Sequence, residues 1–140
     1  MTVTYDSVNV GDTIPARDFN VQRINLVMYC GASGDFNVIH WNQRIAQMVG
    51  LPDVIAHGMY TMAQAARVIT DWTGDPGSVE DYKVRFSKPV VVPDDDKGAT
   101  LSVTGEVTEK LDDNRVVVTL TAKAGEDTVL QGARATVRLP

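Results

Sequence analysis

The chain has 140 residues, of which 44% are apolar and 22% charged, and its formal net charge is −5. This length is close to the commonest domain size, so we expect one domain, residues 1–140, with a sizeable core. The acidic balance argues against a general nucleic-acid binder, because such proteins carry basic surfaces.

The cysteine content and the absence of long apolar runs bear on the compartment. Cys30 is the only cysteine, so no intrachain disulfide can form, which fits a reducing compartment. Residues 1–10 lack the apolar stretch of a signal peptide, and no apolar run approaches the ~18 residues of a membrane span. We therefore expect a cytoplasmic protein without a membrane partner.

The N-terminal half predicts one strand followed by helices. Ile14–Val21 is predicted to be an edge strand, because its proline cannot donate to a sheet ladder. Asn20–Gly31 carries apolar residues at helical spacing, and its last residue together with Gly34 is expected to end that helix. Trp41–Val49 predicts a second, short helix.

The segment His57–Thr73 is the clearest predicted helix. Gly74 stands where a helix-ending glycine belongs. At ~1.5 Å per residue the helix is about 25 Å long, enough to cross a whole sheet, and we expect it to be buried at the centre. The face predicted to be buried consists of Met59, Met62, Ala63, Ala66 and Ile69.

The C-terminal half alternates between apolar and polar residues, which is typical of strands. Short turns at 111–114 and 125–127 predict that the last three strands form an antiparallel meander. Helices followed by strands indicate an α+β fold, in which a curved antiparallel sheet wraps around the long helix. The predicted strands are Val79–Phe86, Lys97–Glu109, Arg115–Lys123 and Thr128–Leu139.

Two short segments carry residues suited to proton transfer. Asp35, Asn37 and His40 place a carboxylate, an amide and an imidazole within six residues. An Asp/His pair can exchange protons near neutral pH, and the asparagine is a turn former that can also orient the carboxylate. His57 and Gly58 open the long helix, where a backbone N–H can stabilise a developing oxyanion. The pattern predicts proton-transfer chemistry beside a carbonyl.

Other roles for these residues are open at this point. Taken alone, Asp35 can cap a turn, and His40 can begin the next helix. With His57 they also form a set of two histidines and one carboxylate, but the spacing matches no standard zinc signature, so we expect no metal. Ser33 lies outside a Gly-x-Ser-x-Gly elbow, and Cys30 is expected to be a small buried apolar residue.

The segment Tyr29–His40, followed after five residues by Ala46, closely resembles the hydratase-2 motif of MaoC-like proteins. These are (3R)-specific enoyl-thioester hydratases and 3-hydroxyacyl-thioester dehydratases with a hot-dog fold. Ile55–Met59 resembles the segment that opens their central helix. The similarity continues through Asp71–Gly77 and Val84–Phe86, and within the family it is greatest to the B subunits of actinobacterial (3R)-hydroxyacyl-ACP dehydratases.

The resemblance implies a hot-dog fold without a cofactor. It also implies an Asp35–His40 catalytic pair supported by Asn37. Asn37 is further expected to contact the substrate, as is the Gly58 N–H, which would bind the thioester carbonyl. His57 is at most a weak substrate contact and is better interpreted as shaping the helix entrance. The family usually has proline after the motif asparagine, where valine stands in this chain, so the loop lacks the restraint that proline provides.

The implied reaction is the reversible dehydration of (3R)-3-hydroxyacyl thioesters linked to coenzyme A (CoA) or to acyl-carrier protein (ACP). Fatty-acid synthesis or elongation is the implied pathway, with β-oxidation or polyester supply as alternatives. The chain is expected to dimerise through a continuous sheet, with itself or with a related subunit. A hot-dog thioesterase and a non-catalytic subunit are the competing hypotheses. Basic residues available to an acidic carrier or a CoA phosphate, expected to be scattered, are Arg23, Arg44, Arg67, Lys83, Arg85 and Lys88.

Overall fold

Five antiparallel strands form one sheet in the computed structural model, which describes residues 2–140. The strand order is β1-β3-β4-β5-β2, so β1 and β2 lie at the two edges and β3–β5 form the predicted meander. All five predicted strands are present, with bounds shifted by at most two residues. They are β1 (Thr13–Val21), β2 (Val79–Phe86), β3 (Ala99–Leu111), β4 (Arg115–Ala124) and β5 (Asp127–Arg138).

The meander buries one face by simple alternation. Successive side chains of a strand point to opposite faces, so apolar residues at every second position line one side of the sheet. The buried residues include those predicted from this period. They are Leu101, Val103 and Val107 of β3, Val116, Val118, Leu120 and Ala122 of β4, and Ala133, Ala135 and Val137 of β5, followed by Leu139.

Three α-helices precede most of the strands. The first helix ends later than predicted, because Gly31 lies inside it with an ordinary backbone angle. Gly34 ends it instead, with φ of 75° and its N–H donated to the Cys30 carbonyl at 2.9 Å. The helices are α1 (Arg23–Ser33), α2 (Gln43–Met48) and α3 (Gly58–Thr73).

Helix α3 lies across the sheet and contacts β1 to β4. Its bounds agree with the prediction, and Gly74 follows it in the left-handed conformation. The predicted buried face is only partly correct: Ile69 is buried and Met62 and Ala66 are half-buried, but Met59 is 57% exposed and Ala63 is also exposed. Small and apolar residues surround most of the helix, so spacing alone did not decide which face meets the sheet. The buried residues are Thr61, Ala65, Val68 and Ile69.

A short set of backbone hydrogen bonds joins three segments at one end of the sheet. Ala56 donates to Val90 and Val92 donates to Val54, each at 2.9 Å, around an isolated antiparallel bridge. Ile55 donates to the Ile39 carbonyl at 3.1 Å. The loop after α1, the segment before α3 and the segment after β2 are therefore held together.

None of the helices among residues 2–140 combines the length and the apolar character needed to cross a bilayer.

Gly98 lies close to the end of the edge strand β1, and its substitution tests the packing there. It has φ of 67°, and a Cβ there would collide with the Val21 carbonyl oxygen. Gly125 has φ of 60° with nothing within 4 Å of an added Cβ, so Gly125→Ala carries only the left-handed backbone penalty of about 1–2 kcal/mol. We expect Gly98→Ala to lower the free energy of unfolding, measured in urea, by clearly more than this control. Equal losses would show that the Gly98–Val21 approach is relaxed without cost.

Candidate active site

The loop after α1 is closed by its own side chains. The Ser33 hydroxyl accepts the Asp35 N–H at 3.1 Å, and an Asp35 carboxylate oxygen accepts the Asn37 N–H at the same distance. The Asn37 side-chain oxygen then accepts the Ile39 N–H at 3.3 Å. Such local bonds from side chain to backbone shape turns without a regular element. Asn37 is therefore engaged in forming the loop that carries Asp35.

His40 ends this loop in a short 3₁₀ turn and is only 6% exposed. Its Nδ1 lies 2.6 Å from the Ile55 carbonyl oxygen. A carbonyl oxygen can only accept, so Nδ1 carries the proton and the neutral ring has its lone pair on Nε2. Burial is the main influence on the pKa of His40 and lowers it, although the Ile55 carbonyl opposes that shift. The neutral imidazole thus has a fixed tautomer with Nε2 as its basic atom.

Asp35 and His40 approach each other across this loop. An Asp35 carboxylate oxygen lies 4.0 Å from Nε2, while the Asp35 side chain is 53% exposed. That distance is too long for a direct hydrogen bond, but one oxygen atom can lie within hydrogen-bonding distance of both groups. The structure therefore places the two predicted residues so that they can share a water or a hydroxyl.

His57 supports both members of this pair. It is 2% exposed, and its ring stacks on the His40 ring with centroids 3.7 Å apart. Its Nε2 lies 3.1 Å from the Asp35 carbonyl oxygen and so donates to it, and Tyr29 packs edge-on against the ring at 4.7 Å. Its Nδ1 is buried without a hydrogen-bond partner in the described part of the chain.

The same three residues offer a set of possible metal ligands. One ligand atom each from Asp35, His40 and His57 lies within 4.8 Å of the others. A metal bonds a ring nitrogen at about 2.0–2.1 Å and close to the ring plane. The two rings are only 22° from parallel, so their planes do not meet at a bonding distance. The arrangement favours a proton-transfer pair over a metal centre.

A cavity of about 430 Å³ is lined by both His40 and the first residue of α3. Its volume lies within the usual range of small-molecule sites, and its lining is mostly apolar. Gly58 is the first residue of α3, so its N–H has no acceptor within the helix and lies at the positive end of the helix dipole. The lining residues are Ile39, His40, Leu51, Ile55, Ala56, Gly58, Thr61, Phe86, Ser87, Lys88, Pro89, Val90, Val129 and Leu130.

Asp35, Asn37 and His57 do not line this cavity, whereas Phe86, which was not predicted as a site residue, and Lys88 do. Phe86 lies against Gly58, since ring atoms would be 2.8 Å from an added Cβ. Lys88 is the only one of the six basic residues noted above that lines the cavity, and it pairs with Asp127 at 2.8 Å. The contact between residues 58 and 86 joins distant parts of the sequence, so periodicity offers no signal for it.

Comparisons with known proteins agree with this architecture. Residues 6–127 match the model of the MaoC like domain. The 3-hydroxyacyl-thioester dehydratase X of Mycobacterium tuberculosis is 38% identical over 79 residues, which are 56% of this chain and 27% of that protein. An (R)-specific enoyl-CoA hydratase of Rhodospirillum rubrum is 30% identical over 121 residues, 86% of this chain and 81% of that protein.

A solved structure described as a MaoC-like dehydratase superposes with a TM-score of 0.95 at 40% identity. The match covers 99% of this chain but 43% of that chain, so this sequence spans less than half of the solved relative. It likewise spans about a quarter of the dehydratase from Mycobacterium tuberculosis. The family match over residues 6–127 and the shared hot-dog architecture show that this chain belongs to the MaoC-like dehydratase family.

Proposed function

We propose that this chain catalyses the reversible dehydration of (3R)-3-hydroxyacyl thioesters to trans-2-enoyl thioesters. The observation that carries the proposal is the Asp35–His40 pair, in which Nε2 is the basic nitrogen of His40, together with a cavity lined by both His40 and Gly58. The names of the two relatives, a dehydratase and an enoyl hydratase, belong to the two directions of this reaction.

In dehydration, neutral His40 takes the proton from C2 of the thioester through Nε2. Its tautomer suits this step, because the Ile55 carbonyl holds the proton on Nδ1. The electron pair left at C2 forms the C2–C3 double bond as the C3–O bond breaks. Burial favours the neutral ring that the step requires.

Protonated Asp35 gives its proton to the departing hydroxyl, which leaves as water. The pair then consists of an imidazolium and a carboxylate, whose atoms lie 4.0 Å apart, and the proton returns from His40 to Asp35 for the next cycle. Hydration follows the same steps in reverse.

Gly58 stabilises the charge that develops on the thioester oxygen when the C2 proton leaves. Its N–H is not used within α3 and lies at the positive end of the helix. Loss of a comparable oxyanion donor costs about 2.7–4 kcal/mol of transition-state stabilisation. Asn37 and His57 act indirectly, through the loop and through the position of the pair.

A thioesterase is the alternative from a different reaction class. It would hydrolyse the bond between the carbonyl and sulfur, and it needs one activated water rather than two groups that act at neighbouring carbons. The apposition of Asp35 and His40 favours dehydration, because one group can serve C2 and the other C3. A non-catalytic subunit has no need to retain both groups in this geometry.

The carrier and the pathway are parts of the proposal that follow from the resemblance. We propose an ACP or CoA thioester in fatty-acid synthesis or elongation in the cytoplasm, with β-oxidation or polyester supply as the alternative. Lys88 stands at the cavity and is the basic residue best placed to approach a carrier phosphate. Its ion pair with Asp127 would have to open for that contact.

We also propose that the chain acts as a dimer, with a second copy or with a related subunit. Each edge strand, β1 and β2, pairs on only one side among the described residues, so a continuous sheet across two subunits is possible. Many apolar side chains are also exposed on the helices and on the loop after α1, which indicates that another subunit covers this surface. They include Ile24, Val27, Met28, Phe36, Trp41, Met48 and Met59.

Activity tests the proposed pair directly. We expect Asp35→Asn and His40→Ala each to reduce the hydration of crotonyl-CoA by about 10²–10⁴-fold, because each removes a proton-transfer group. Loss of enoyl absorbance measures hydration, and thiol release in the same samples detects hydrolysis. Asp81→Asn is the matched control, since that carboxylate on β2 is 54% exposed, like Asp35.

Equal hydration by wild type and both site variants would show that the site is wrong. Thiol release without hydration would favour the thioesterase.

The oligomeric state provides a separate test. We expect the purified chain to sediment with the mass of a dimer at micromolar concentration, because its apolar side chains and sheet edges remain uncovered in a single subunit. Addition of a related hot-dog subunit distinguishes a homodimer from a preferred heterodimer. A chain that is monomeric alone and stays monomeric with the related subunit added would contradict the dimer.

The neutrality of His40 can be tested through stability. Burial lowers the pKa of His40 in the folded protein below its ordinary 6.5, so the unfolded chain binds the proton more tightly. The stability that neutral His40 contributes is therefore present above pH 6.5 and is lost as pH falls through the folded-state pKa. Urea unfolding from about pH 7.5 to about pH 5 should show the advantage of wild type over His40→Gln shrinking. A pH-independent difference would contradict a lowered pKa.

A further inference from the structure

Phe86 occupies an unusual place for a large apolar side chain. It ends β2 and is 52% exposed, while the earlier residues Tyr82 and Val84 of the same strand pack against the core. Its ring lines the cavity together with His40 and Gly58. The ring therefore forms part of the wall of the candidate active site, although half of it is exposed.

The ring also lies directly on the backbone of Gly58. A Cβ added to this glycine would lie 2.8 Å from two ring atoms, which real Cβ atoms essentially never do. The backbone angle of Gly58 is not in the left-handed region, so any larger residue at this position would meet only the Phe86 ring, which would have to shift. The close approach leaves the Gly58 amide and the face of Phe86 as neighbouring surfaces.

The position of the ring beside Gly58 bears on which substrate atoms would lie near it. In the proposed function, on which this inference rests, the thioester oxygen accepts the Gly58 N–H. In the substrate, the carbonyl carbon is bonded to that oxygen, to C2 and to the sulfur. In the protein, the Phe86 ring packs against Cα of Gly58, one bond away from the amide nitrogen. Because His40 must reach the C2 proton, C2 is held between His40 and Gly58. A substituent on C2 would then have to share its space with Phe86.

We propose that Phe86 is a specificity-determining residue that restricts the reaction to thioesters without a branch at C2. The ring fills the space beside the carbonyl that a 2-methyl group would occupy. It also places an apolar surface beside the Gly58 backbone, which limits the access of water to the hydrogen bond with the thioester oxygen. Removal of the ring opens this space without removing the Asp35–His40 pair.

Hydration of crotonyl-CoA and of its 2-methyl analogue, tigloyl-CoA, tests the role. The measured quantity is the ratio of kcat/KM for the two thioesters. We expect Phe86→Ala to shift that ratio towards tigloyl-CoA by roughly tenfold or more, since one carbon in an apolar pocket typically discriminates 10–200-fold. Phe86→Leu, which keeps a bulky apolar group, should retain more of the wild-type preference.

Val84→Ala is the matched control. It truncates a partly buried residue of the same strand that does not line the cavity, so it reports general loosening of β2. An active wild type whose ratio is unchanged in Phe86→Ala, or changed equally in Val84→Ala, would overturn the role of Phe86 alone. A wild type inactive on both thioesters, alone and with a related hot-dog subunit added, would overturn the proposed function, and the specificity role with it.

Thermal unfolding tests the contact independently of activity. Gly58→Ala should lower the melting temperature because its Cβ meets the Phe86 ring. Adding Phe86→Ala to this variant should recover part of the loss, since the colliding ring is then absent. A double variant whose loss equals the sum of the two single losses would show that the ring does not press on residue 58.

Discussion

The hydrogen-bonding of Ile55 is the constraint on which the site depends. The Ile55 N–H donates to the Ile39 carbonyl, and the Ile55 carbonyl accepts from the His40 ring. The residues on either side of Ile55 hydrogen-bond the backbone of the segment after β2. Three separate parts of the chain are therefore positioned by one short, irregular ladder. The same residue sets the His40 tautomer and stands three positions before Gly58, so the proposed base and the proposed oxyanion donor share a support.

Most of the fold could be predicted because it depends on local patterns. Alternation of apolar residues located the meander, and glycines at both ends bounded the long helix. Asp35 and His40 could be singled out because six residues of loop contain both. Their distance of 4.0 Å required the structure, since Asp35 and His40 are held by separate hydrogen bonds, to Asn37 and to Ile55.

The parts that could not be predicted depend on contacts between distant segments. Gly31 resembled a helix end, but a glycine adopts ordinary helical angles as easily as left-handed ones, and only the structure distinguishes it from Gly34. The buried face of α3 is chosen by the sheet it meets. In the sequence, Phe86 is indistinguishable from an ordinary strand residue. Its proposed role at the site follows only from its contact with the backbone of Gly58.

The different exposure of the two proposed proton-transfer groups matches the chemistry at the two carbons. His40 is buried, stacks on His57 and lines an apolar cavity, which suits the proposed transfer of the C2 proton to its neutral Nε2, away from competing water. Asp35 is half-exposed, which suits its proposed role at C3, where water must be exchanged with solvent. Had both groups been buried, the product water would have had no route out. With both exposed, the imidazole would have lost the burial that keeps it neutral.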